Sequence, residues 1–315
     1  MKQKIFIDGE HGTTGLQIRE RLAGRTDIDL LSLAHDDRRD ASRRAALLRE
    51  ADIAILCLPD DAAREAVALA SDSGTRFIDA STAHRTHPDW VYGFAEAEPG
   101  QAKRIANAQF VSNPGCYSTG AIGILRPLVL AGLLPADYPV TINAVSGYTG
   151  GGKQMIAQME NPEADDAIHA PYFAYALTLA HKHVPEIISR SGLTRRPIFT
   201  PNVSKFPQGM LVNVPLHLDL LAGQPSYAHV HHALTDHYAG QDVVEVTGFA
   251  DMPVRLDPTA LAGTDEMRIY VCANGETGQV NIIASLDNLG KGASGAAVQN
   301  LDLMLGWAHR TGQEP

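Results

Sequence analysis

Cysteine is scarce in this chain, and no stretch of it is both long and apolar. Three cysteines among 315 residues cannot form a fully paired disulfide framework, and their spacings fit no zinc pattern, so no metal is expected. No hydrophobic run approaches the length that crosses a bilayer, which leaves no membrane as a partner. Basic residues are the minority. Lys and Arg number 26 against 36 Asp and Glu, for a net charge of −10, which argues against nucleic acid and anionic membrane surfaces. Internal repeats and low-complexity segments are also missing. The first residues, Met1-Lys2-Gln3-Lys4-Ile5, run straight into a strand pattern with no signal-peptide signature, so the cytoplasm is the expected compartment. What is present is a globular, enzyme-like composition, with 44% hydrophobic and 20% charged residues and 28 glycines. The length suits one large or two ordinary domains.

The three cysteines do not occupy similar surroundings. Cys57 lies in Ile53-Ala54-Ile55-Leu56-Cys57-Leu58 and Cys272 in Ile269-Tyr270-Val271-Cys272, both strand-core patterns. Cys116 lies in Ser112-Asn113-Pro114-Gly115-Cys116-Tyr117-Ser118-Thr119-Gly120. An apolar run (Ala108, Phe110, Val111) enters that turn, and a buried-helix pattern, Gly120 to Leu128, leaves it. A thiol at a strand-to-helix turn feels the positive end of the helix dipole, which lowers its pKa. Backbone N–H groups there are also suited to holding an oxyanion. The plainer reading is a buried structural cysteine; the Asn-Pro-Gly and Ser-Thr-Gly flanks favour an exposed turn and a nucleophile.

Strand and helix alternate ahead of Cys116, as a doubly wound parallel sheet requires. Lys4–Asp8 reads as a strand, Leu16–Leu22 as a helix, and Gly9, Gly12 and Gly15 punctuate the turn between them with Thr13 and Thr14. That context makes a dinucleotide site, although the spacing is Gly-x-x-Gly-x-x-Gly. After the second strand, Asp29–Ala34, the chain places Arg38 and Arg39 where an NAD site usually has an acid. A grip on a 2′-phosphate follows, favouring NADP(H), unless these arginines merely begin the helix Ser42–Arg49. Further strands are read at Asp52–Leu58, Arg76–Asp79 and Trp90–Glu96. The loop after Asp79 carries Ser81 and Arg85 at the carboxyl end of a strand, where ligands bind in open sheets.

Beyond Cys116 the pattern becomes α+β with a mostly antiparallel sheet: Pro139–Gly147, Pro197–Lys205, Met210–Leu220, Val243–Val246, Met267–Ala273 and Gln279–Leu286, interrupted by one helix near Ser226–Tyr238. Ser146 to Lys153 reads as a flexible glycine-rich loop near a substrate, with Gly147 and Lys153 as candidate contacts. In His181-Lys182-His183-Val184-Pro185-Glu186, an extended chain would turn both histidines to one face, and Pro185 biases Val184 away from helix. Either histidine suits a general acid/base, oriented by Glu186; a surface pair or two metal ligands are the competing readings. A glycine-rich turn holding Asn288 and Gly290 then precedes an apolar helix. It suits packing beside a cofactor or docking on the first domain.

Taken in order, Gly9-x-x-Gly12-x-x-Gly15, Asp79-x-Ser81 with Arg85, Asn113-Pro114-Gly115-Cys116-Tyr117, His183-x-Pro185-Glu186 and Asp287-Asn288-Leu289-Gly290-Lys291-Gly292 resemble the N-acetyl-γ-glutamyl-phosphate reductases. The likeness is to the shorter of their two sequence types and spans nearly the whole chain. The more general motifs are shared with the aspartate-semialdehyde dehydrogenase superfamily, whose reduction of another acyl phosphate is the alternative. The resemblance implies a Rossmann-like domain over 1–115, completed by a C-terminal helix in 290–315, and a catalytic and oligomerisation domain over 116–289. It implies NADPH-dependent reduction of an acyl phosphate to a semialdehyde in arginine biosynthesis, by a homo-oligomer (dimer or tetramer). Cys116 would form a thioester, Asn113 would help hold the oxyanion, and Arg85 and Lys153 would assist the leaving phosphate. His183, or failing that His181, would move the proton.

Overall fold

The computed structural model describes residues 2–33 and 40–307. They divide into two compact units, one of residues 2–33, 40–95, 100–114 and 293–307, the other of 96–99 and 115–292. No helix among the described residues is long and apolar enough to cross a membrane.

The first unit is built on β1 (Gln3–Asp8), β2 (Ile28–Leu31), β3 (Ile53–Leu56), β4 (Arg76–Asp79), β5 (Val91–Tyr92) and β6 (Phe110–Ser112), in the spatial order β2-β1-β3-β4-β6-β5. Its strand pairings among the described residues are parallel. Side chains alternate across a strand, so neighbouring residues feed two separate cores. Ile5, Ile7, Ile53, Ile55 and Ile78 pack on one face with α1 (Thr13–Leu22), α4 (Gln101–Asn107) and α9 (Gly295–Met304). Phe6, Ala54, Leu56 and Phe77 pack on the other with α2 (Ala41–Glu50) and α3 (Asp60–Leu69). The C-terminal helix α9 is thus part of the first core, and Arg25 ties it there through Asp302 at 2.6 Å.

One reading changes here. The strand expected over Trp90–Glu96 is only Val91–Tyr92, because β5 pairs with β6 at just two positions. Residues 96–99 then leave for the second unit, where Glu96 pairs with Lys291 and Glu98 with Arg126.

The second unit carries β7 (Thr141–Gly147), β8 (Tyr172–Ala174), β9 (Ile198–Ser204), β10 (Met210–His217), β11 (Val244–Val246), β12 (Met267–Asn274) and β13 (Gln279–Leu286), ordered β11-β12-β13-β10-β7-β9-β8. Only β11 with β12 and β7 with β9 run parallel. Along β10 Met210, Val212, Val214 and Leu216 are buried, and the residues between them are not. That alternation marks a sheet packed on one face. Helix α5 (Cys116–Leu130) lies against the packed face so closely that a Cβ on Gly120 would stand 2.7 Å from Val212. Helices α7 (His183–Ser191) and α8 (Tyr227–His237) flank it.

The second unit has more helix than its sequence suggests. The glycine-rich segment after β7 is a 3₁₀ turn, Tyr148–Gly151, followed by α6 (Gly152–Glu160). Residues 183–191 are helical, not extended. Pro185 sits in the first turn, where its missing N–H has no partner to lose. The buried pair Val184 and Ile187 supplies a helical apolar face, and Gly192 at φ 82° closes the helix.

Candidate active site

Cys116 is the first residue of the fifteen-residue α5, with Gly115 as its N-cap. The first intrahelical bond runs from the Thr119 N–H to the Gly115 carbonyl at 2.8 Å. The N–H groups of Cys116, Tyr117 and Ser118 therefore precede it, at the positive end of the helix. Burial pushes the Cys57 thiol up to about 12 and also raises that of Cys272.

Tyr117 is buried, and its hydroxyl donates to the Asn202 carbonyl at 2.8 Å. Both candidate histidines surround its ring, His181 at 6.0 Å and His183 at 5.9 Å between centroids. Their own rings meet edge-on at 4.7 Å. His181 Nδ1 accepts the His183 backbone N–H at 3.1 Å, and His181 Nε2 lies 3.1 Å from the Tyr175 hydroxyl. A ring accepting at Nδ1 carries its proton on Nε2, so the neutral tautomer donates to Tyr175. Burial lowers the His181 pKa to about 4. His181 is in this way a neutral brace for the start of α7, with His183 as the next ring along.

Glu186 also reaches the start of α5. It is 1% exposed, and its Oε1 accepts the Gly115 N–H at 2.9 Å. A carboxylate thereby caps α5 one residue before Cys116, and that particular N–H is occupied. Tyr175 is the member of this cluster that sequence reading missed. Burial raises its phenol, and the nearby Cys116 charge adds to the rise. It follows the three-residue β8, too short to show a period.

In the first unit, Asn113 donates through Nδ2 to the Ala293 carbonyl at 2.9 Å and accepts from Asn300 at 3.0 Å. Arg85 is buried and holds the carbonyls of Asn113 and Ala80, each at 3.0 Å. Ser81 bonds the buried Asp79 through both its N–H and its hydroxyl. His84 Nδ1 lies 2.6 Å from the same carboxylate, and its ring stacks on Trp90 at 4.0 Å. The loop after β4 is thus tied down by its own polar groups.

The glycine turn between β1 and α1 borders a cavity of about 270 Å³ with Asp8, Glu10, Leu33 and Arg44. Gly9 has φ 91°, and a Cβ there would lie 2.3 Å from the Cys57 carbonyl oxygen. A Cβ on Gly15 would lie 2.3 Å from the Gly9 carbonyl oxygen. Gly12 differs: its nearest neighbour would be at 3.4 Å, an ordinary contact. The protein's own packing does not require glycine at 12, which leaves room for close backbone approach by a ligand. Gly12 caps α1, Thr13 and Thr14 begin it, and no acid lies in its first turn, which fits a pyrophosphate. Glu10 accepts from Arg19 and Ser32, and Arg44 pairs with Asp8 at 2.8 Å. Arg38 and Arg39 lie outside the described residues.

Three residues of the expected ligand set are engaged inside the second unit instead. Asn288 accepts the Gly209 N–H at 2.9 Å and donates to Thr149 at 3.0 Å. A Cβ on Gly290 would fall 1.9 Å from the Thr264 carbonyl oxygen, and one on Gly147 2.4 Å from that of Pro207. Lys153 is exposed in the first turn of α6.

Residues 4–105 match the family model described as semialdehyde dehydrogenase, NAD binding domain, and residues 116–288 the one described as semialdehyde dehydrogenase, dimerisation domain. The chain is 62% identical over 310 residues to N-acetyl-gamma-glutamyl-phosphate reductases of Brucella ovis and Brucella canis, across 97% of this chain and 100% of each relative. Among solved structures, aspartate semialdehyde dehydrogenase II from Vibrio cholerae is similar with a TM-score of 0.74 at 18% identity, covering 97% of this chain and 99% of that one. An aspartate semialdehyde dehydrogenase with NADP from Candida albicans has a TM-score of 0.66 at 14% identity, covering 97% and 99%. These two show the fold. The matched domains and the reductase relatives place this oxidoreductase chain in the N-acetyl-gamma-glutamyl-phosphate reductase family.

Proposed function

We propose that this chain reduces N-acetylglutamyl 5-phosphate to the 5-semialdehyde with release of phosphate, using NADPH, as a step of arginine biosynthesis. The observation that carries the chemistry is Cys116 at the first position of α5, beside a tyrosine ring that His181 and His183 both approach.

The Cys116 thiolate attacks the acyl carbonyl, phosphate departs, and a thioester remains. Backbone N–H groups at the start of α5 face the oxyanion; each such donor contributes roughly 3–4 kcal/mol. Asn113 shapes the approach to the turn. Arg85 and Lys153 are the cations assigned to the leaving phosphate. NADPH, when bound along the Gly9–Gly15 turn at Gly12, Thr13 and Thr14, supplies the hydride. His183 takes the thiol proton on attack, gives it to the oxygen of the thiohemiacetal, and takes it back as that oxygen regains its carbonyl and the Cys116 thiolate leaves. A thioester is more readily reduced than a carboxylate, and a thiolate is nucleophilic near neutral pH, which is why a cysteine is used. The enzyme works as a homo-oligomer (dimer or tetramer) through residues 116–288, in the cytoplasm.

A panel of acyl phosphates, followed by NADPH absorbance, tests this reading. The N-acetylglutamyl compound should be turned over at least tenfold more efficiently than aspartyl phosphate. Preference for aspartyl phosphate, or for NADH over NADPH, would overturn it.

A further inference from the structure

The segment Asp287–Gly292 is fixed at almost every residue. The buried Asp287 carboxylate accepts N–H groups from Leu289 at 2.9 Å and Gly263 at 2.6 Å, and the Gln208 amide at 3.1 Å. Asn288 holds Gly209 and Thr149. Gly290 presses on the Thr264 carbonyl. Lys291, 2% exposed, donates to Glu96 at 2.6 Å. The Gly292 N–H returns to the Asp287 carbonyl at 2.9 Å, an i to i−5 bond that begins a π-helical turn. Such turns often mark functional sites.

This pinned segment ends against Cys116. A Cβ on Gly292 would lie 2.8 Å from the Cys116 Cβ, 3.2 Å from its Cα and 2.9 Å from the Asp287 carbonyl oxygen. Gly292 has no positive φ, so space and not backbone conformation demands the glycine. At the same helix start, the Gly115 N–H donates to Glu186. From this geometry we infer that Asp287–Gly292 is a rigid seat for the nucleophile, with Gly292 a positioning residue that sets where the Cys116 side chain stands. The inference rests on Cys116 being the nucleophile. A misplacement of about 1 Å in a reacting group lowers turnover on the order of 100-fold.

The test is Gly292→Ala in the full-length enzyme. Turnover should fall about 100-fold, with KM for acyl phosphate and NADPH within about threefold. Iodoacetamide labelling of the Cys116 peptide, followed by mass spectrometry across pH, should slow or shift by about tenfold. If turnover and labelling both stay within about twofold of wild type, the seat does not position the cysteine. A stability cycle with Cys116→Gly supplies a readout besides activity. Gly292→Ala should lower the melting temperature in the wild-type background, and at least half of that drop should vanish when residue 116 has no Cβ. Equal drops in both backgrounds, or failure to fold in both, would overturn the inference, since the glycine would then serve Asp287 alone. Retained activity in Cys116→Ser would instead remove the nucleophile reading and leave the stability cycle intact as a result.

Discussion

Two glycine-rich turns in this chain look alike as sequence, yet the first holds a glycine that the protein's own packing does not require. Between β1 and α1, Gly12 meets nothing closer than ordinary contact, so its missing side chain leaves room for something that is not protein. Between β13 and α9, Gly290 and Gly292 are pressed onto the Thr264 carbonyl and onto Cys116, so their missing side chains are filled by the protein itself. The same residue type leaves open space in the first case and marks a packing constraint in the second. A glycine motif therefore states that something comes close, without stating what.

The first way to break the contrast is at the residue the second turn surrounds. Cys116→Ser should lower acyl-phosphate reduction on the order of 10⁴-fold, as loss of a covalent nucleophile does. Near-wild-type turnover would leave the second turn packed around an inert residue. Next come the histidines. His183→Asn should reduce turnover by roughly 10²–10⁴-fold, the range of general acid/base catalysis. His181→Asn should act mainly on stability, because both of its ring nitrogens hold the protein together. If only the second variant abolishes turnover, the assignment is reversed.

The glycines themselves sharpen the comparison. Gly290→Ala should destabilise the fold by about 1–3 kcal/mol or more, the usual penalty of overpacking, measured by urea unfolding. Gly12→Ala should leave stability within about 0.5 kcal/mol and weaken NADPH binding roughly tenfold by titration. Matching losses of stability in the two variants would erase the distinction. The smallest effect concerns pH. The folded-state pKa of His181 is depressed from 6.5 to about 4 by burial. Its neutral ring therefore contributes stability that is fully present above about pH 6.5 and is lost as pH falls toward about 4. After discounting for its partial exposure this is about 1 kcal/mol. His181→Asn should flatten the slope of stability against pH in that window, and an unchanged slope would place the titration elsewhere.

Legibility differed between the two units for physical reasons. In the first, Ile5-Phe6-Ile7, Ile53-Ala54-Ile55-Leu56 and Phe77-Ile78 are short apolar runs separated by helices, and a parallel sheet buried on both faces requires that pattern. In the second, the segment His181–Glu186 carries a proline that reads as a break. The break is harmless in a first turn, and burial of Val184 and Ile187 decides for helix. The residues after β7 read as flexible because they are glycines. Contacts from Asn288, Phe206 and Pro207 hold them in a 3₁₀ turn leading into α6. Glu186 stood out in sequence as a partner for histidine; only the fold shows its carboxylate on the Gly115 N–H.

Local order and residue chemistry were enough for the alternation of strand and helix, the glycine turn at the first strand, and a cysteine at a strand-to-helix turn. Those features depend on neighbours in sequence, on period and on backbone freedom. Tertiary structure decided which groups stand around that cysteine. Tyr117 and His183 meet across 66 positions of sequence. Gly292 reaches Cys116 across 176. No local rule reports such distances, because they are fixed by how α5, α7 and the end of β13 pack in the second unit. The Cys116 turn was visible from the sequence, and the packing of that unit supplies its seat.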